Sequence, residues 1–418
     1  MSSQRQPAAD RVRHANTWRC SLPAPMISKD EISIWNVLKQ SLGRDLTRVT
    51  IPIVFNEPLS FLQRLAEYME YCELLKTAHQ CDDEFERFEY VAAFVISTLA
   101  FNHQRLSKPF NPLWFETFEL DRSQKEGYRF VAEQVSHHPP ISAFHVTSDM
   151  YEFYGTVSPK LRFWGSAVEV LPGGDFVLKL LRHNETYTWN AVNISVHNIV
   201  MGQMYMKLVG RLCIKCNSGK LFQVDFKQGG DGSPAQNAFI EGRLCNSEGT
   251  VRAAYGNWTA LFATCAENDF KEKYAKWVDA NKTAFDKETS AEVTVPLIEG
   301  SKLLWKSRPR PLNSAEIYNF TSFTLLLNDP DGVRDYLPRT DSRLRPDMRL
   351  LEMGQLDEAA KEKERLEVKQ RQARARQKKL KVEKKPRWFN AEKSIDGPAW
   401  IFNGRYWSRE YDNCEDIF

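Results

Sequence analysis

The feature that most constrains the fold is a long series of short strand-like segments between about residues 113 and 265. The stretch YEFYGTVSPKLRFWGSAVEVLPGGDFVLKLL, residues 151–181, alternates in places between apolar and polar side chains and is interrupted by Gly and Pro, which commonly end strands. About eight to twelve such segments predict a large antiparallel sheet or barrel. Aromatic side chains recur at alternate positions, so they belong either to an ordinary core or to the wall of a ligand cavity.

Helical patterns flank this region on both sides. Residues 29–42 form an amphipathic pattern that includes Trp35, and residues 58–79 and 83–106 predict two more helices, the second apolar on most sides and therefore buried. A long charged helix is predicted from about residue 355, followed by an aromatic-rich tail that we expect to pack against the body. The chain therefore predicts a mainly β fold with flanking helices.

Composition and charge exclude several classes of protein. The 418 residues carry a net charge of only +3, so any basic surface must be local. The longest apolar run, at 91–101, is far below the ~18 residues needed to span a bilayer. The N-terminus has no apolar core of a secretory signal, so we expect a cytoplasmic protein that contacts membranes only peripherally.

The eight cysteines follow no disulfide framework, and a reducing compartment favours thiols. The single CxxC motif, CIKC at 213–216, has no second CxxC or His pair at zinc spacing. We therefore expect structural thiols and no metal site.

The most unusual local pattern is EQVSHHPPISA, residues 133–143. Pro139 and Pro140 fix their own backbone and push the preceding residue out of the helical region, so the segment reads as a strand that ends in a stiffened turn. A bend there brings His137 and His138 towards one site, although neighbouring strand residues normally point to opposite faces. Two adjacent imidazoles suit a metal, an acid–base step or a phosphate; the alternative is that they only cap the strand end.

The same stretch resembles the fingerprint of the oxysterol-binding protein-related family: Glu, Lys or Gln, any residue, Ser, His, His, Pro, Pro. Further segments that resemble this family are LPAPM, KPFNPLWFETFE, PKLRFWG, SRPRPLNSAEIYNFTSF and TDSRLRPDMR. The similarity extends from about residue 19 to the C-terminus. The chain is thus similar to the short members that are little more than the lipid-binding domain.

This resemblance implies an incomplete antiparallel β-barrel around a hydrophobic tunnel, with an N-terminal lid and C-terminal helices. The expected layout is a disordered segment followed by one lipid-binding domain with four parts. The ranges are 1–18 for the disordered segment, 19–418 for the domain, about 19–45 for the lid, 58–106 for the helical segment, 113–265 for the barrel and 266–418 for the C-terminal helical region.

The resemblance also implies roles for individual residues. His137 and His138 would hold the phosphate of phosphatidylinositol 4-phosphate, with Lys108 and Asn111 of KPFNP beside them. In the long helix, Lys363, Glu367 and Arg371 match the family triplet, and their spacing of four and four places them near one face. The lid contacts to lipid would come from Leu22, Pro23 and Trp35. The remaining fingerprint positions are Glu133, Gln134, Ser136, Pro139 and Pro140.

The function implied is the exchange of sterol and phosphatidylinositol phosphate between membranes, without covalent chemistry, cofactor or nucleic acid. A lipid-regulated sensor or adaptor that binds the same lipids is an equally compatible alternative. An enzyme is not expected, because neither GxSxG nor HExxH occurs. The basic stretch at 369–385 lacks aromatic interleaving, so contact with anionic lipids is favoured over nucleic acid. No endoplasmic-reticulum docking motif or other protein partner is evident.

Some positions depart from the family pattern. Trp114 and Phe115 stand where the family usually has Leu and Gly, and we expect these rings to narrow the tunnel or to move the phosphate site. Tyr205 stands where the family usually has Trp.

Overall fold

The computed structural model describes residues 19–26, 51–199, 204–227, 238–280, 295–381, 384–394 and 397–418. Within these ranges the chain is dominated by β-strands. In chain order the strands are β1 (Asn56–Ser60), β2 (Lys108–Phe110), β3 (Thr117–Asp121), β4 (Tyr128–His137), β5 (Pro140–Ser148), β6 (Tyr151–Val157), β7 (Lys160–Phe163), β8 (Ala167–Leu171), β9 (Gly174–Leu180), β10 (Glu185–Asn190), β11 (Asn193–His197), β12 (Tyr205–Val209), β13 (Arg211–Cys216), β14 (Leu221–Phe226), β15 (Phe239–Asn246), β16 (Gly249–Asn257), β17 (Leu261–Cys265), β18 (Lys302–Lys306), β19 (Phe389–Ser394) and β20 (Gly397–Phe402).

Twelve of these strands form one antiparallel sheet in the order β18-β17-β16-β15-β14-β13-β10-β9-β6-β5-β4-β3. A second, four-stranded sheet has the order β12-β11-β8-β7, while β1 pairs in parallel with β2 and β19 forms a hairpin with β20. Strands β3 and β18 do not pair with each other in the described chain, so the large sheet stays open. This confirms the expected mainly β fold with a large, incomplete antiparallel barrel.

Aromatic side chains fill one face of the large sheet where β5, β6, β9 and β10 lie side by side. Gly155 of β6 makes this packing possible, since a Cβ atom at this position would lie 2.8 Å from the ring of Phe176 and 3.0 Å from that of Phe144. The ring of Tyr68 packs against this group through edge-on contacts to Phe144 and Phe176, with 5.9 and 5.6 Å between ring centroids. The alternating aromatics therefore belong to the interior.

Helices cover the sheet at both ends of the chain. They are α1 (Phe61–Ala66), α2 (Glu73–Gln80), α3 (Glu84–Ala100), α4 (Glu267–Asp269), α5 (Ala275–Ala280), α6 (Ser322–Leu326), α7 (Pro346–Glu352) and α8 (Leu356–Leu380), with a π-helical turn Phe270–Tyr274 between α4 and α5. Helix α3 is capped by Asp83, whose carboxylate accepts from the backbone N–H groups of Phe85 and Glu86. As predicted, it is buried on most sides.

The helix predicted for residues 58–79 is divided in the structure. Residues up to Ser60 are extended in β1, and Ser60 then starts α1 in a capping box with Gln63. A 3-10 turn, Glu67–Tyr71, separates α1 from α2. The prediction was therefore wrong at its start, because a capping residue keeps an extended backbone.

The C-terminal part is less helical than its charge pattern suggested. Strand β18 extends the large sheet next to β17, and the β19–β20 hairpin packs an apolar cluster against β4 and β5 that includes Val131, Val135 and Trp388. Helix α8 begins close to the predicted position and ends at Leu380, where the capping residue Lys381 has a left-handed backbone conformation (φ 53°). Three strands were thus missed in this region.

All eight cysteines are free thiols, and Cys216 of the CxxC motif is buried. Among the described residues, no helix combines the length and the apolar character needed to cross a bilayer. The amphipathic segment predicted at 29–42, including Trp35, lies outside the described residues.

Candidate functional site

The described residues line a cavity of about 1140 Å³ between the two sheets and the N-terminal helices. Its wall is mostly apolar and is built by both sheets together with α1 and α3. Representative wall residues are Phe61, Leu65, Val95, Leu99, Phe153, Val157, Val168, Val170, Phe176, Trp189, Ile194, Val196 and Met206. An apolar interior of this volume exceeds the ~300–1,000 Å³ typical of small-ligand pockets.

All seven residues predicted to bind a head group line this one cavity. They come from the β2 strand, the loop after it, the β4–β5 hairpin and helix α8, and they are Lys108, Asn111, His137, His138, Lys363, Glu367 and Arg371. Segments more than 200 residues apart in the chain thus meet at one polar rim, which we call the mouth.

The β4–β5 hairpin presents the two histidines. His137 ends β4 and pairs with Pro140, the first residue of β5, so that His138 and Pro139 form the tip, and the His138–Pro139 peptide bond is cis. A shift in register between Gln134 and Ser136 bends the strand just before the tip. As a result both rings line the cavity, with centroids 4.5 Å apart.

The two lysines of the mouth are partly buried and lie close to each other. The Lys108 ammonium donates to Asn111 Oδ1 over 2.7 Å, and the Lys363 ammonium donates to the carbonyl of Ile51 over 2.5 Å. Burial, and then the charge of Lys363, lower the pKa of Lys108 to about 8. Burial also lowers the pKa of Lys363, against the carboxylate of Glu367. The mouth therefore holds positive charge in a poorly solvated place, which favours an anionic ligand.

His137 differs from these cations because it is neutral at pH 7. Burial lowers the pKa of His137 to about 4, and the charges of His138 and Arg374 add to this effect. Its Nε2 atom lies 2.8 Å from Nε2 of Gln370 on α8. A neutral imidazole with a fixed partner offers one directed hydrogen-bond donor rather than a charge.

The other fingerprint residues support the hairpin and the tail. The Gln134 amide donates to the carbonyl of Ser136 over 2.8 Å and accepts from the Ser142 hydroxyl over 2.5 Å, so it ties together the two strands that lead to the tip. Gln134, Pro139 and Pro140 also line the cavity. Burial raises the pKa of Glu133 to about 7, against backbone N–H groups that favour its ionised form. Those groups belong to the C-terminal tail, where Arg387 N–H and Trp388 N–H each donate to Glu133 over 2.9 Å.

Of the predicted lid residues, Leu22 and Pro23 belong to the described ranges. Leu22 is buried in the main hydrophobic core, whereas Pro23 is exposed. Neither is among the residues that line the cavity in the described ranges. The segment is fixed at Met26, whose N–H donates to the carbonyl of Glu316 over 2.6 Å. Contact of Leu22, Pro23 and Trp35 with a lipid stays a prediction.

Trp114 and Phe115 do not narrow the cavity. Their rings stack on each other with centroids 4.4 Å apart, and neither residue lines the cavity wall, although the preceding Leu113 does. Trp114 instead lies against a shallow groove formed with the basic C-terminal half of α8. Phe115 has a left-handed backbone (φ 70°), a conformation that Gly adopts readily.

The sequence prediction missed polar residues at two places in the cavity. On α8, Gln370 and Arg374 also line it; they follow Lys363 by seven and eleven residues, so extending the helical spacing along the same face would have found them. Further along the wall, Arg64, Asn102 and Arg105 contribute polar groups.

The charges of the two arginines in the wall are balanced within the core. Arg64 donates to Glu57 over 2.7 Å and to Asn102 Oδ1 over 3.1 Å, and Arg105 donates to both Glu57 and Glu67. Both guanidinium groups thus have carboxylate partners behind the cavity wall. Neither arginine therefore places an unpaired charge in the apolar interior, which would be costly.

An open antiparallel sheet around one apolar cavity with a basic, polar mouth is the architecture of a lipid-binding domain. Comparison with known proteins agrees with this class. The chain belongs to the oxysterol-binding protein family, whose pattern it matches over residues 33–411.

Among curated relatives, the chain is 43% identical over 421 residues to oxysterol-binding protein-related protein 1 of Rattus norvegicus, covering 96% of this chain and 44% of the relative. It is 41% identical over 426 residues to oxysterol-binding protein-related protein 2 of Mus musculus, covering 96% of this chain and 88% of the relative. The chain therefore spans less than half the length of the first relative and most of the second.

Among the solved structures that share the fold are two with different bound lipids. The Osh1 ORD domain in complex with cholesterol superposes with a TM-score of 0.83 at 33% identity, covering 97% of this chain and 95% of that chain. The Osh3 ORD of Saccharomyces cerevisiae in complex with PI(4)P superposes with a TM-score of 0.78 at 27% identity, covering 96% of this chain and 99% of that chain. The same architecture thus binds a sterol in one relative and a phosphoinositide in another.

Proposed function

We propose that this chain binds a sterol or phosphatidylinositol 4-phosphate in its cavity and exchanges the two lipids between membranes. In this proposal residues 19–418 act as one lipid-binding domain, which works in the cytoplasm and touches membranes only peripherally. The reaction is extraction and delivery, so no bond is formed or broken and no residue has a catalytic role.

The observation that carries the proposal is the combination of an apolar cavity of about 1140 Å³ with a mouth that gathers Lys108, Lys363 and Arg371. A phosphate suits this rim because Lys and Arg form charge-assisted hydrogen bonds with it. An apolar body suits the interior because burial of apolar area is favourable by about 25 cal/mol per Å². A sterol needs only the interior, whereas a phosphoinositide needs both parts.

The two bound relatives support competition for one cavity. Osh1 ORD binds cholesterol and Osh3 ORD binds PI(4)P, and both share the fold of this chain. Because the described residues offer one large apolar cavity behind the basic mouth, we infer that the two lipids exclude each other. Such exclusion allows a carrier to transport one lipid in one direction and the other lipid on its return.

The test is lipid extraction from liposomes by wild type, His137→Ala/His138→Ala and Lys363→Ala, using phosphatidylinositol 4-phosphate in one series and a fluorescent sterol in the other. We expect both variants to lose at least tenfold in phosphoinositide extraction and to keep sterol extraction. Lys361→Ala is the matched control, since Lys361 is exposed on the same helix and does not line the cavity. It should behave as wild type.

Transfer is separated from static binding by using far less protein than lipid. A carrier moves many lipids per protein molecule between donor and acceptor liposomes, whereas a lipid-regulated sensor stops near one per protein. Failure of wild type to extract phosphatidylinositol 4-phosphate would refute the head-group assignment. Simultaneous binding of both lipids would refute the exchange cycle.

A further inference from the structure

Gln370 connects three segments of the chain at the mouth and has no counterpart among the family's motif positions. It lies on α8 between Glu367 and Arg371 and lines the cavity. Its side-chain oxygen accepts from the backbone N–H of Trp114 over 2.8 Å, and its side-chain nitrogen lies 2.8 Å from Nε2 of His137. One amide group therefore contacts both the loop before β3 and the histidine hairpin.

These two contacts determine the orientation of the amide. A backbone N–H can only donate, so the Gln370 atom that faces Trp114 N–H must be the oxygen. The atom that faces His137 is then the NH₂ group, which can only donate. Nε2 of His137 must therefore accept and carries no proton. In a neutral imidazole the single proton is then on Nδ1.

The charges around His137 agree with a neutral ring. On its own hairpin it faces His138, and on α8 it faces Arg374, and both disfavour a positive charge on His137. Burial acts in the same direction and is the larger cause of the lowered pKa, about 4. A cationic His137 would also place an Nε2–H against the NH₂ group of Gln370, and the contact with Trp114 N–H opposes a flip of that amide.

We propose that Gln370 is a positioning residue that holds His137 in the Nδ1–H tautomer, so that this ring offers a neutral donor to a phosphate ester in the mouth. This inference rests on the proposed function for the identity of the ligand, but the tautomer itself does not depend on it. The positive charge that attracts the phosphate then comes from lysine and arginine, and His137 orients the phosphate through a hydrogen bond.

The first test is nitrogen NMR of the ligand-free protein with ¹⁵N-labelled histidine, in which His137→Asn assigns the signals. We expect a protonated Nδ1 and an unprotonated Nε2 at pH 7. In Gln370→Glu both side-chain oxygens accept, so the proton should move to Nε2 or the ring should become cationic. Gln372→Glu adds the same charge at an exposed neighbour and should leave the tautomer unchanged. A proton on Nε2 in wild type, or no change in Gln370→Glu, overturns the proposal.

The second test measures the consequence for the ligand. Extraction of phosphatidylinositol 4-phosphate should fall about tenfold or more in Gln370→Glu and only slightly in Gln372→Glu, while sterol extraction is unchanged in both. If wild type shows the expected tautomer but extracts no phosphoinositide, the proposed function fails and the tautomer assignment stands. If Gln370→Glu changes the tautomer but extracts normally, the positioning role is overturned.

The source of the phosphate is resolved by following the His137 nitrogen signals in two titrations. One uses vesicles that contain phosphatidylinositol 4-phosphate and the other uses inorganic phosphate. A shift of Nδ1 with the vesicles supports the lipid head group as the ligand. A shift with inorganic phosphate alone, or with neither, overturns it.

Discussion

Removal of the Glu133 carboxylate should detach the C-terminal tail from the sheet. Glu133 is 1% exposed and accepts from the backbone N–H groups of Arg387 and Trp388 over 2.9 Å each. A buried donor that loses its acceptor costs about 1–3 kcal/mol. Glu133→Leu leaves the buried Trp388 N–H and the partly buried Arg387 N–H without this acceptor and should lower the free energy of unfolding by about 2–4 kcal/mol. Glu133→Gln keeps one acceptor oxygen and should cost about 1–3 kcal/mol.

The assay is urea unfolding at constant pH, combined with hydrogen exchange of the backbone N–H groups of Arg387 and Trp388. Both groups should exchange faster in Glu133→Leu. Glu392→Gln is the matched control, since Glu392 is exposed on β19, and it should change the unfolding free energy by less than about 0.5 kcal/mol. If Glu133→Leu also stays within that limit and its exchange is unchanged, the carboxylate does not hold the tail and the reasoning is wrong.

The effect of Glu133→Leu on the tail should also change the mouth of the cavity. Lys369 of α8 forms an ion pair with Asp416 over 3.0 Å and donates to the carbonyl of Phe418. The tail that Glu133 holds is therefore in contact with the helix that carries Lys363, Glu367 and Arg371. We expect Glu133→Leu to weaken phosphoinositide extraction without removing any group that contacts the ligand.

Three further outcomes follow from single positions. Phe115→Gly should be more stable than Phe115→Ala by about 1 kcal/mol in urea unfolding, the reverse of the usual order, because Phe115 has φ 70°; the usual order would contradict backbone strain there. At pH of about 8–9, binding of an anionic head group should take up a proton, because burial lowers the pKa of free Lys108 to about 8 and a phosphate raises it again. Calorimetry in buffers of different ionisation enthalpy should show this uptake in wild type and not in Lys108→Met; equal uptake in both would refute it. Arg105→Met should lower the free energy of unfolding by about 3–5 kcal/mol, because it leaves the buried carboxylates of Glu57 and Glu67 without their shared partner; a loss below about 1 kcal/mol in urea unfolding would show that this ion cluster is not needed.

The mainly β fold was predictable because it depends on local patterns, whereas the residues of the mouth were predicted from the resemblance to the family. Alternation of side chains predicts strands wherever one face is buried, and the double proline after His137 and His138 predicts a turn. The spacing of Lys363, Glu367 and Arg371 predicts one helix face. A local pattern does not specify which other strand a strand pairs with. For this reason β18 was not predicted as an edge of the large sheet.

The misjudged positions share another cause. Trp114 and Phe115 were expected to narrow the cavity or to move the phosphate site because they are large. They do not line the cavity, because the direction of a side chain depends on the backbone, and at Phe115 the backbone is left-handed. Gln370 was missed because a glutamine in a charged helix normally contacts solvent. Its partners, His137 and Trp114, are more than 200 residues away in the chain, so only the fold brings them together.

The fingerprint joins three different regions of the chain within five residues. Glu133 holds the tail, Gln134 ties β4 to β5 through Ser142, and His137 contacts α8 through Gln370. A substitution in this stretch therefore changes stability, the shape of the hairpin and the mouth together. Loss of lipid binding alone does not show that a fingerprint residue touches the lipid. That conclusion requires that the substitution leave both the unfolding free energy and sterol binding unchanged. We expect a substitution of His138, which is exposed at the hairpin tip, to meet both conditions. We expect a substitution of Glu133 to fail them.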